Sequence, residues 1–532
     1  MAKVVTMNTF DYGIIAIYLV LLVFMGFKLR GQSTKSDYFL GGRTLGWKPL
    51  TLSVMATQLS AISFVSAPAF VGMREGGGMQ WLSYELAVPL AMILVLSTVL
   101  PVLYRSGVVS IYDYLEQRFG RSSRLVISFV FQFSRAFSTG IMIYAVSLIL
   151  IATMGITLWQ SIVLVGVITL LYSLQGGMKA VVYGDAIQMI IIVLGTVACI
   201  YFGLSHLGGI DAFVENVDQS RLQAINFSSY GVEGDGFGFL PMVFGGIVLY
   251  ASYYGCDQTQ TQRALSAKNP GQLKKMMMAN GFLRFPVTLL YCFSGLIIGT
   301  LALQDTSFAQ LIPEGKSDMM MPVFIINYLP HGMIGILIVA ILAAAMSSLS
   351  STINSLSAVT VEDFCRITNK TPNDETYMKY AKYTSVIWGV VTLTLSLYAG
   401  DIAATVIEAI NKVGSVFYGP ILAIFLLAVF DKRLCALQIN IGLLVGVAFN
   451  LFLWLSVPEL FWFWWNLIGL VVTCVVAYGI LLFSNKERPT YSPTLTSLSD
   501  TPAILTRKDI VILVAYFLVM IAICLSIPML FS

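Results

Sequence analysis

The chain reads as an all-α polytopic membrane protein of about fourteen transmembrane helices. Three observations carry that expectation. Of its 532 residues, 57% are hydrophobic and only 11% are charged, where a soluble domain carries roughly 25% charge. Mean hydropathy is +0.83. Apolar stretches of about 20 residues, enough to cross a bilayer, recur along the whole length.

The segments fall near 9–29, 48–73, 80–104, 123–154, 156–175, 183–205, 238–263, 276–303, 319–362, 378–399, 403–430, 433–456, 459–484 and 509–531. The first is too long for a signal peptide's apolar core and lacks a clear cleavage site, so it reads as a retained helix. The ninth exceeds one span. A short helix ending near Pro330-His331-Gly332 should precede its spanning part.

Loop charge sets an expected orientation. Odd-numbered connections hold most of the basic residues, among them Arg105, Arg118, Arg121 and Arg124 in the third. The even connections are acidic or neutral, as with Asp211, Glu215 and Asp218 in the sixth. Odd loops therefore read as cytoplasmic and both termini as external.

Several function classes are disfavoured. The net charge of +4 is small. No basic run suits nucleic acid, and no phosphate-cradling glycine loop suggests ATP-driven transport. Seven cysteines are scattered without a CxxC pair, and only His206 and His331 are present. A disulfide frame or histidine metal centre is not expected.

Two segments look discontinuous. The second carries Ser53, Thr57, Gln58, Ser60, Ser63 and Ser66 before Pro68, and proline kinks a helix. The seventh carries Gly245, Gly246 and Gly255 before the polar run Asp257 to Arg263. They lie five segments apart, the spacing of matched positions in two inverted five-helix repeats, and so point to a binding site between the repeats. Two independent kinks are the bland alternative.

The run Ala343 to Ser355 places Ser347, Ser348, Ser350 and Ser351 within a spanning segment. Lipid offers a hydroxyl no partner. The run reads either as close helix packing through small residues or as oxygen ligands for a hard monovalent cation.

Four motifs together carry a family resemblance. They are Asp37-Tyr38-Phe39-Leu40-Gly41-Gly42-Arg43, the stretch from Gly176 to Asp185, the stretch from Gln260 to Lys268, and the serine run. The chain resembles the sodium/solute symporter family. The resemblance implies a LeuT-type core of two inverted five-helix repeats, with one helix before it and three after. The expected division is 1–45 for the first helix and its loop, 46–235 and 236–431 for the repeats, and 432–532 for the last three helices.

The resemblance also implies sites. One sodium ion would be held by the carbonyls of Ala56, Leu59 and Ala344 and the hydroxyls of Ser347 and Ser348. A second, found in some members, would use Asp185, Ser350 and Ser351. For Asp185 the alternative is an ordinary carboxylate at a helix end. Arg135, in the middle of the fourth segment, matches the arginine that holds the substrate carboxylate in sialic acid transporters. Its alternative is an internal ion pair, for example with Glu85 or Glu408. Ser60, Ser63, Glu85 and Asn411 match further substrate-facing positions. Tyr254 matches the gate tyrosine of sugar carriers, or is simply a core aromatic. Ile62, Ser63, Val88 and Ala251 depart from the sugar carriers' pattern, which argues against hexose. The wording around Gly140 to Ala145 and Val359 to Phe364 leans toward the iodide, vitamin and monocarboxylate branch.

The reading is a sodium-coupled symporter importing a small organic anion, with sialic acid as the narrow choice. A sugar or other neutral solute, or a monocarboxylate or vitamin, is the alternative. Na+ is the coupling ion. The other expected partners are the solute and membrane lipid, with no nucleic acid and no second copy of the chain. The protein should not be an enzyme. The expected location is the bacterial inner membrane.

Overall fold

The computed structural model of the protein describes residues 7–29, 34–59, 61–234, 236–369, 372–398, 405–483, 498 and 501–531. These residues are almost entirely helical. In chain order, the elements used below are α1 (Thr9–Lys28), α2 (Trp47–Gln58), α3 (Ala61–Gly72), α4 (Ala87–Ser97), α5 (Arg121–Met154) and α6 (Leu158–Leu207). They continue with α7 (Gly246–Cys256), α8 (Gln258–Leu265), α9 (Pro270–Gln304), α10 (Met333–Thr368), α11 (Asp374–Ser396), α12 (Val406–Phe430), α13 (Ala436–Ser456), α14 (Phe463–Phe483) and α15 (Arg507–Leu530).

Among the described residues, ten helices are long and apolar enough to cross a membrane, and the bent pair α2 and α3 makes an eleventh. The remaining expected segments are also helical: the first half of α6, the pair α7 and α8, and α11. All fourteen expected segments are therefore present. The overlong ninth resolves as anticipated into a short helix, Met320–Tyr328, followed by α10.

Local chemistry explains the boundaries. Asn8 and Asp11 form a capping box that starts α1, and such caps satisfy otherwise orphaned amides. Asp11 is fully buried and also accepts from the Gly332 amide at 2.6 Å and the Gly335 amide at 3.1 Å. That pins α1 to the start of α10. Gly177 kinks α6 at φ +53, and a Cβ there would lie 2.8 Å from the Tyr38 carbonyl. The glycine motif and the Tyr38 motif thus pack on each other.

The centre is dense. α10 packs against α6, α1, α5 and α11. α3 and α9 approach through Gly72 and Gly295, where an added Cβ would meet backbone at 2.4 and 2.5 Å. Small residues at such crossings let membrane helices touch backbone to backbone. α12, α13 and α14 pack on one another, and α12 also packs on α7 and α5.

Candidate functional site

The site is built on the two breaks. α2 ends at Leu59, whose φ −84 and ψ 68 leave the helical region, and α3 resumes with a bend of 53°. α7 ends at Asp257, at φ −99 and ψ 122, before α8 begins. Both discontinuities stand where the sequence places them. Ser60 falls outside the described residues.

A helix leaves its last carbonyls without intrahelical partners, and they carry the negative end of its dipole. Ala56 and Leu59 belong to that end of α2. Facing them is the serine stripe of α10. Ser348 Oγ donates to the Thr57 carbonyl at 3.4 Å, and Ser347 Oγ donates to Asp185 Oδ1 at 2.6 Å. Ala344 lies on the same helix one turn earlier. These groups offer only carbonyl and hydroxyl oxygens, which suits a hard cation.

Asp185 is fully buried in α6, not at an exposed helix end. Its carboxylate accepts from Ser53 Oγ at 2.5 Å, from Ser347 at 2.6 Å and from Arg263 Nη2 at 2.8 Å. Arg263 also donates to Ser351 Oγ, and its Nε reaches Ser53 Oγ at 2.7 Å. Asp185 and Ser351 are therefore joined through one guanidinium. Ser350 instead turns back, donating to the Ser347 carbonyl at 2.9 Å.

A cavity of about 100 Å³ lies beside this stripe. Ser63, Glu85, Arg135 and Asn411 all line it, so four expected substrate residues share one wall. Thr57, Leu59 and Ser348 line it too, so the expected cation ligands and the expected substrate residues border one cavity. Asp185, Ser350 and Ser351 do not line it.

The charged residues are paired in ways the sequence did not indicate. Arg135 pairs with Asp257, not with Glu85 or Glu408. Glu408 pairs instead with Arg74, at 2.7 Å. Glu85 accepts from Arg284 Nη2 at 2.6 Å, Arg284 Nε at 2.9 Å, Thr288 Oγ1 at 3.0 Å and Tyr250 Oη at 3.2 Å. An ionised carboxylate has about four acceptor sites, so Glu85 is filled by its own protein. Asn411 accepts from Tyr84 Oη at 3.0 Å. Tyr254 is buried behind the wall, and the neighbouring Tyr253 lines it.

The sequence reading missed several wall residues. Thr139 follows Arg135 by four, Thr352 follows Ser348 by four and Tyr418 follows Asn411 by seven, and all line the cavity. Helical spacing from a named residue was the available signal. Thr259 Oγ1 and Tyr291 Oη also face this wall, buried and without hydrogen-bond partners.

Known proteins share this chain's sequence pattern and fold. Residues 38–446 match the family model described as "Sodium:solute symporter family". The putative sodium-dependent multivitamin transporter of Drosophila melanogaster is 29% identical, over 85% of this chain and 76% of its own. The human sodium/iodide cotransporter is 28% identical, over 84% and 70%. The human sodium-coupled monocarboxylate transporter 1 is 28% identical, over 84% and 73%. A solved Na+-coupled sialic acid symporter, in a substrate-bound outward-open state, shares the fold with TM-score 0.81 at 23% identity, over 91% of this chain and 100% of that one. The protein is a multi-pass membrane transporter and not an enzyme, with Na+ as its coupling ion. On the matched model and these paired breaks, the chain belongs to the sodium:solute symporter family.

Proposed function

We propose that this sodium-coupled symporter carries a small organic anion. The observation that carries the reading is Arg135, a guanidinium on the wall of the solute cavity that already holds a carboxylate, that of Asp257. A guanidinium fork matches a carboxylate in shape and charge. N-acetylneuraminate is the first candidate, since its carboxylate suits Arg135 and its hydroxyls suit Ser63, Asn411 and the unpartnered oxygens of Thr259 and Tyr291. Short monocarboxylates are the second candidate. The family relatives named for monocarboxylates and iodide favour an anion.

In this reading one sodium ion binds Ala56, Leu59, Ala344, Ser347 and Ser348 and orders the broken helix. Solute then binds beside it, near Ser60, Ser63, Arg135 and Asn411, with Tyr254 supporting the gate from behind Tyr253. A second ion would use Asp185, Ser350 and Ser351, sharing Asp185 with Arg263. Two sodium ions with a monoanion carry one net charge, worth about 2.3 kcal/mol per 100 mV. The two repeats, 46–235 and 236–431, rock against each other about the site. The monomer lies in a bacterial inner membrane with both termini outside.

The deciding experiment is uptake into proteoliposomes of labelled N-acetylneuraminate and labelled lactate, with and without a sodium gradient. Sodium-driven uptake of either acid, lost in Arg135→Ala, is expected. Uptake of a neutral sugar that Arg135→Ala leaves intact would remove the anion reading.

A further inference from the structure

Asp257 occupies the guanidinium that the proposed substrate needs. It sits at the break between α7 and α8, and its two oxygens do different work. Oδ1 accepts from the Thr259 amide at 2.8 Å and caps α8. Oδ2 pairs with Arg135 Nη2. The pair is largely shielded, with side chains 12% and 8% exposed. Arg135 lies over the Tyr253 ring at 5.0 Å from its centroid. Behind the pair is a smaller cavity lined by Ser252, Cys256, Asp257, Arg135 and Tyr418. Arg135 and Tyr418 line both this space and the solute cavity. The ion pair is thus part of the partition between them.

We infer that Asp257 is a tethered competitor for Arg135: it holds the guanidinium when the cavity is empty and yields it to the substrate's carboxylate. The inference rests on the anion reading above. A carboxylate with one oxygen spent on a helix cap meets the fork through its other oxygen only. A free carboxylate can use both oxygens, so the exchange is chemically reasonable. Once released, Asp257 is a shielded carboxylate without its cation, a state that proteins relieve by rearranging. Solute binding is thereby connected to the hinge between α7 and α8 and to the partition beneath the cavity. Asp257 acts through Arg135 and is a positioning residue.

The test is Asp257→Asn, because asparagine caps a helix as well as aspartate does and removes only the charge. KM for N-acetylneuraminate or lactate, whichever the wild type transports, should fall about tenfold as the competing state disappears. Turnover should drop in the same variant, and Asp257→Glu should restore the wild-type KM. Thermal unfolding checks the fold, and Asp257→Ser, which also keeps a cap, stands in where the asparagine variant does not fold. An unchanged or raised KM in an uncharged variant overturns the tether while leaving the anion reading intact. Wild-type protein that takes up neither acid overturns both.

Discussion

Ser347 Oγ donates to Asp185 Oδ1 at 2.6 Å, so a hydroxyl of the one proposed sodium site is bonded to the carboxylate of the other. Ser347→Ala should act on both. The half-saturating sodium concentration should rise by about tenfold, equivalent to about 1.4 kcal/mol. Asp185 also loses a donor in a fully buried place, a further cost of about 1–3 kcal/mol in stability. Ser348→Ala, whose hydroxyl bonds a backbone carbonyl instead, should shift sodium affinity with little loss of stability. Sodium titrations of thermal unfolding would separate the two variants.

The Asp185–Arg263 pair bears on how many ions travel. Both side chains are buried, at 0% and 1%. Removing one partner of such a pair costs about 3–5 kcal/mol, so Arg263→Ala should melt well below the wild type. Ser351→Ala is milder, since it removes a hydroxyl and leaves both charges. If two ions bind, this variant should lower the Hill coefficient of sodium-dependent uptake toward one. A sodium-to-solute uptake ratio of one in the wild type would leave no room for the second ion.

Glu85 and Arg284 should behave as a structural pair. Glu85→Gln leaves a guanidinium that is 3% exposed without its counter-charge, and the expected loss is about 3–5 kcal/mol. The double variant Glu85→Gln with Arg284→Met should recover much of that, as replacing both buried charges often does. Recovery of stability without recovery of uptake would instead give the pair a role in handling solute. Melting temperature and initial uptake rate, measured on all three variants, decide it.

How much of this was legible depends on the range of each interaction. The breaks were legible because proline, glycine and polar runs stand out locally within apolar segments. The serine stripe was legible for the same reason. Arg135 was legible as unusual but its partner was not, because Asp257 is 122 residues away on another element. Glu85, 199 residues from Arg284, looked like a ligand when read alone. The Tyr253 and Tyr254 difference is a matter of helix phase. One residue turns a helix by about 100°, and the π-turn at Pro241–Gly245 just upstream shifts that phase. No periodicity in the sequence announces such a turn.

Asp431, in the connector between α12 and α13, offers a pH test. The Arg433 guanidinium bonded to it, helped by the Arg433 amide and Tyr478, holds its carboxyl down at about 2, from an ordinary 3.8. A depressed carboxyl contributes stability that is fully present above 3.8 and is lost as pH falls toward 2. The melting temperature of the wild type should therefore exceed that of Asp431→Asn by a constant margin at neutral pH. That margin should shrink only below about pH 4. A margin that closes near pH 6 would trace to a different group.

Arg74, just past the end of α3, and Glu408 join the second half of the broken helix to the start of α12. The contact is bidentate, with Nε to Oε2 at 3.0 Å and Nη2 to Oε1 at 2.7 Å. Ser66 and Asp318 reinforce it, since the Ile407 amide donates to Ser66 Oγ at 3.3 Å and the Val406 amide to Asp318 at 3.1 Å. A latch of this kind should set how often the cavity opens on that side, which is the external side in the proposed orientation. Glu408→Gln keeps the shape and removes the charge, so the open population should rise. Ser63 lines the cavity, and a Ser63→Cys reporter should then react about tenfold faster with a membrane-impermeant thiol reagent applied from outside. The native cysteines set the background, measured on the parent without the reporter. Equal rates with and without the Arg74–Glu408 pair would make it a brace that does not move during transport.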